Sequence, residues 1–304
     1  MANQHGSDVH HSISGQLAVI MYRRLTVMKY IGELLWILSE AGWILLIPQV
    51  CIPASFLAFV FIFAAAALDC LTGRMEVWIP SALQALWLFW NFVWMLDEVF
   101  WDEPDQQTPW ALTPMLGKDE KLYKAVQEYC KIGFFLAPVL WMAAILLRLA
   151  QSGHEARSKS SVQELICHAG YIAMWSSTDG FWACGYFWPA TVTSVVTLIM
   201  IAASTVDDCS RMTDHMDRTD VVWMLWTLSN YTWILLELSF KDWLPCRYLA
   251  TMICLQSLAL LAVSWPQFRL REEEEDVNGE PGSAQWPDEL AASLRKADSL
   301  LHVG

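Results

Sequence analysis

The sequence predicts an all-α fold: a bundle of eight transmembrane helices built from two tandem, parallel four-helix repeats. Three observations predict it. Hydrophobic residues make up 55% of 304 positions and charged ones only 17%, a balance typical of polytopic membrane proteins. Apolar stretches close to the ~20 residues that cross a bilayer core recur along the chain. A tryptophan motif also occurs twice in each half, at matched distances.

The expected spans are 27–48, 53–71, 78–101, 131–150, 165–187, 190–207, 221–240 and 245–266. The first follows Arg23 and Arg24 and is too long for a signal-peptide apolar core, so no cleavable leader is expected. Very short connections join it to the second, the fifth to the sixth and the seventh to the eighth, which makes those pairs antiparallel hairpins. Pro48, Pro53, Pro138 and Pro189 mark helix ends or kinks. His168, alone near the start of the fifth span, reads as a packing histidine. Trp101, Trp110, Trp243 and Trp265 fit an interfacial aromatic belt.

The repeat is carried by the motif. Trp36, Glu40 and Trp43 are followed 51 residues on by Trp87, Asn91 and Trp94. Trp175, Asp179 and Trp182 are followed, again 51 residues on, by Trp226, Asn230 and Trp233. The two pairs are offset by 139 positions, and the same offset aligns Asp69 with Asp208, Cys70 with Cys209 and Glu98 with Glu237. Four spans per unit is an even number, so the units enter the membrane in the same sense, as parallel repeats. The expected organisation is a polar N-terminal segment (1–21), repeat one (22–150), repeat two (151–268) and an acidic cytoplasmic tail (269–304).

Orientation follows from Lys and Arg. With the N-terminus inside, 13 of the 19 lie on the cytoplasmic side and six outside, which places both termini in the cytoplasm. The net charge of −13 belongs mainly to loops and tail, including Glu272 to Asp276. It argues against nucleic-acid binding. The eight cysteines lack metal-site spacing, so no metal and no cofactor is expected. Cys51, Cys130 and Cys246 fall near the outer face, where one disulfide is open. In the tail, Leu290, Leu294, Ala297 and Leu301 share a face of a short helix over 288–302, a surface for a protein partner or for this bundle.

Positions i−4, i and i+3 lie within about 60° on a helix. Each motif therefore makes one stripe, with the acid or amide between two indoles. Glu98 and Glu237 lie seven residues beyond Asn91 and Asn230, two turns further along the same faces. An ionised carboxylate at mid-bilayer costs about 2.5–3.5 kcal/mol on insertion scales, so these faces should turn inward. The expected centre is Glu40, Asn91, Asp179 and Asn230, with Glu98 and Glu237 at its outer rim. The alternative reading is that such side chains only glue helices together, at about 0.6 kcal/mol each. Asp69 and Asp208 read as caps or as lining for an inner vestibule.

The pattern of Trp, acid and Trp, then Asn91, Trp94, Met95 and Glu98, resembles uncharacterised polytopic membrane proteins of bacteria and algae. Those carry Trp-x3-Asp-x2-Trp and Asn-x2-Trp-Met-x-Gly-Glu helices. Here Asp97 stands where that pattern has Gly, and Glu40 where it has Asp. The resemblance implies no activity.

Three functions fit the residues. A transporter or channel for an ion, a proton or a small solute would use acids at mid-membrane. A membrane-embedded enzyme on a terpenoid-like substrate would use an acid among indoles to protonate an alkene and shield a cation. A structural or pigment-associated scaffold would use tryptophan as filling. Beyond the lipid bilayer, the sequence names no partner.

Overall fold

The computed structural model describes residues 4–45, 47–71, 75–101, 120–151, 162–163, 165–211, 218–240, 249–260 and 262. These form helices with no strand among them: α1 (Gln4–Ile44), α2 (Pro48–Cys70), α3 (Met75–Trp101), α4 (Glu120–Phe134) and α5 (Leu136–Gln151). A π-helical turn (Leu165–Ala169) then leads into α6 (Gly170–Ala183), followed by α7 (Phe187–Arg211), α8 (Arg218–Phe240) and α9 (Leu249–Leu260). Helix α1 begins well before the expected first span, so the polar 4–21 stretch is helical too.

Three helical stretches are long and apolar enough to cross a membrane among the described residues: Pro48–Cys70, Val77–Val99 and Lys124–Ala150. Phe187–Ala203 and Leu249–Leu260 are apolar but shorter. These helices carry large apolar side chains on their outer faces: Phe56, Val60, Phe63, Val139, Leu146 and Ile199 are all exposed. Helices α1, α6 and α8 fall outside that set, and their buried faces hold Ser39, Glu40, Ser176, Thr178, Asp179, Thr227 and Ser229.

Helix α1 packs on α2, α2 on α3, α6 on α7 and α7 on α8, while α3, α4 and α5 all touch the α6 region. The α1–α2 hairpin closes tightly, with Ile47 N donating to Gly42 O at 2.7 Å. A Cβ on Gly42 would press on Val50 and Cys51, so glycine is what lets the two helices meet there. Helix α6 ends in a Schellman turn. Tyr186 N donates to Phe181 O at 2.8 Å and Gly185 N to Trp182 O at 2.7 Å. Gly185 has φ +74°, the left-handed value that favours glycine.

The expected fourth span is broken at Phe135 into α4 and α5. Pro138 has no N–H to offer Phe134 O four residues back. Ser176 of α6 supplies the missing donor, with Oγ 2.6 Å from that carbonyl. Beside the break, Gly133 leaves room for the Trp90 ring and Gly180 for Phe134 and Phe135. Small residues let helices approach this closely. Cys51 and Cys130 are free thiols, whereas Cys246 and the 288–302 segment lie outside the described residues.

Candidate functional site

The four motif helices are α1, α3, α6 and α8. Glu40 and Asn91 are each 3% exposed and Asp179 5%, although nothing in their chemistry favours burial. Together with Asn230 they line a single cavity of ≈ 20 Å³, walled by Trp43, Trp175, Trp182 and Trp233. That volume admits about one water and no organic molecule.

The hydrogen bonds cross between the two halves of the chain. Asp179 Oδ2 accepts from Trp87 Nε1 at 2.6 Å and from Asn91 Nδ2 at 3.2 Å. The Asn230 amide is oriented by its neighbours: Nδ2 donates to Glu40 Oε2 at 3.1 Å, and Oδ1 accepts from Trp226 Nε1 at 3.0 Å. The acid of α6 is thus held by the amide of α3, and the acid of α1 by the amide of α8. The second arrangement reaches its indole through the asparagine rather than directly.

The tryptophans form two layers around this polar level. On one side, Trp36 meets Trp87 at 5.2 Å between ring centroids, Trp87 meets Trp226 at 5.5 Å, and Trp226 meets Trp175 at 5.2 Å. On the other, Trp233 meets Trp43 at 5.9 Å, Trp43 meets Trp182 at 6.3 Å, and Trp182 meets Trp94 at 5.8 Å. Each chain of rings takes one indole from each motif. Most of the contacts are edge-on or tilted, the arrangement the ring quadrupole favours.

Glu98 sits beyond the second layer, half-buried. Trp43 Nε1 donates to its Oε2 at 2.8 Å and Trp94 Nε1 to its Oε1 at 2.7 Å. The carboxylate therefore clamps an indole of α1 to one of α3. The side chain of Glu237 lies outside the described residues. Asp69 is buried at the opposite end of the bundle, where Lys29 Nζ stands 2.6 Å away and Ser81 Oγ donates to it. It ties α1, α2 and α3 together and does not reach the cavity. The side chains of Asp208 and His168 are not among the described residues.

Several buried polar groups escaped the motif. Ser39 bonds Cys51 O at 3.1 Å, and Asp97 is buried towards Gln127 of α4. Gln84 and Thr227 line a second cavity beyond the first tryptophan layer. Gln84 lies seven residues before Asn91, so extending the stripe two turns in the other direction would have found it.

Chemically, the site presents N–H donors to two carboxylates, and its lining contains no Lys, Arg or His. No cluster of His, Cys, Asp and Glu suited to a metal ion occurs among the described residues. Fold and site together define an all-α protein with apolar helices of membrane-crossing length and a buried acidic centre. Comparison with protein-family models, with curated proteins and with solved structures finds no match to this chain.

Proposed function

We propose that this chain is an integral membrane protein of eight transmembrane helices, in two parallel four-helix repeats with both termini cytoplasmic, and that it carries protons across the bilayer through Glu40 and Asp179. The observation behind this reading is that two carboxylates from different halves share one water-sized cavity with no cation in its lining. Two ionised groups there would be strongly disfavoured. A proton is the counter-charge that the available space accommodates best.

The exchange of partners between halves supports the repeat reading. The Asp179–Asn91 bond and the Glu40–Asn230 bond are related by the 139-residue offset. So are the Trp36–Trp87 and Trp175–Trp226 contacts. Two halves built alike and meeting at mid-membrane are what alternating movement requires. The scaffold reading retains one supporting observation, the close packing of both indole layers. The cavity is too small for a terpenoid-like substrate.

The test is proton flux into proteoliposomes driven by a pH gradient and read with an entrapped pH dye. Wild-type protein should carry protons above the protein-free background, and Glu40→Gln or Asp179→Asn should lower the flux at least tenfold. Folded wild-type protein with no flux would leave the scaffold. Flux driven only by a sodium gradient would replace the proton with that ion.

A further inference from the structure

We propose that Trp87 is a gate, latched shut by Asp179, between the acidic cavity and a second water-sized cavity at Thr227. This rests on the proton-carrying reading above and adds the route by which a proton reaches the acids. The second cavity is also ≈ 20 Å³, room for about one water. Gln84, Tyr171, Thr197 and Thr227 give it polar walls, and Trp87 and Trp226 form part of its boundary.

Three observations carry the inference. The cavities are stacked along the same helix faces. On α3, Gln84 lines the second cavity and Asn91 the first, seven residues or about 10 Å apart. On α8 the order is Thr227 then Asn230, and on α6 it is Tyr171 then Asp179, with Trp175 touching both cavities. Next, Thr227 Oγ1 is fully buried and has no hydrogen-bond partner among the described residues. A buried hydroxyl costs about 1–3 kcal/mol when unpaired, so a water in this polar space is the natural partner. Finally, the Trp87 ring borders the second cavity while its N–H is spent on Asp179 in the first. One of the rings that wall the second cavity is thus held in place by the group the proton must reach.

The step is a proton relay with no other bond change. A water in the Thr227 cavity gives a proton to Asp179 Oδ2 once the indole swings aside, and is reprotonated from its own side of the membrane. Asp179 passes the proton through the water in its cavity to Glu40, and Glu40 releases it towards Glu98. One proton enters, one leaves, and each oxygen keeps its electron pairs. An acid that has taken up the proton accepts the indole N–H more weakly than a carboxylate does, so the latch is firmest again once Asp179 has passed its proton on to Glu40.

The experiment is the same liposome assay with Trp87→Phe, which keeps a ring and removes the N–H, and Thr227→Val, which keeps the shape and removes the hydroxyl. Trp87→Phe is expected to raise flux at least fivefold and Thr227→Val to lower it at least fivefold. In the background of Asp179→Asn, Trp87→Phe should not raise flux, because the acid that the opened gate would load is gone. Wild-type-like flux in both single variants overturns the gate while leaving the acids as carriers. A wild type without flux overturns the carrier reading itself, and the gate falls with it.

Discussion

Ser176→Ala offers a sharp test of how the acidic helix is seated, because its cost should depend on a proline 38 residues away. Ser176 is fully buried on α6, one turn before Asp179, and its Oγ lies 2.6 Å from Phe134 O. That carbonyl lost its helical donor to Pro138. Removing the hydroxyl leaves it unpaired in a dry interior, at about 1–3 kcal/mol. In Pro138→Ala the backbone N–H returns and can bond Phe134 O directly, so Ser176→Ala there should cost under ~0.5 kcal/mol. The coupling between the two sites is thus expected to be at least about 0.5 kcal/mol. Reversible unfolding in mixed micelles, followed by tryptophan fluorescence, measures all four proteins. Equal costs of Ser176→Ala in both backgrounds would refute the argument.

Three further outcomes follow from the geometry. Glu98→Ala strips one acceptor from Trp43 and another from Trp94; we expect a loss of about 2 kcal/mol, moderated by water at this half-buried site, and red-shifted indole emission. Lys29→Met removes the ammonium that stands 2.6 Å from buried Asp69; the expected loss is up to about 3 kcal/mol, lessened because Lys29 is partly exposed, and Lys29→Met with Asp69→Asn should recover most of it. Gly180→Ala drives a methyl group against Phe134 and Phe135; thermal unfolding in detergent should reveal about 1–3 kcal/mol of overpacking.

Much of the site could be read from residue spacing, because helical periodicity alone puts an acid between two indoles on one face. The all-α class was legible for the same reason. What spacing cannot reach is choice of partner. Nothing along the chain says that Asp179 bonds Asn91 of α3 rather than Asn230 of its own half, since that depends on how the helices are arranged. The break at Phe135 was half visible, in Pro138 but not in Ser176. The π turn at Leu165–Ala169 gave no local signal, and Trp141 Nε1, 3.0 Å from Leu165 O, is part of what holds it. The second cavity was missed because Thr227 looks like any helix-packing threonine until its hydroxyl is found without a partner.

The most direct measurement exchanges the acid and the amide that face each other. Asp179→Asn alone should leave less than a tenth of the proton flux, and Asn91→Asp alone, which puts a third carboxylate on one small cavity, should do no better. The double exchange returns one acid and one amide to the same 3.2 Å contact and is expected to recover at least a third of wild-type flux. A double variant no more active than Asp179→Asn would contradict the shared acidic centre.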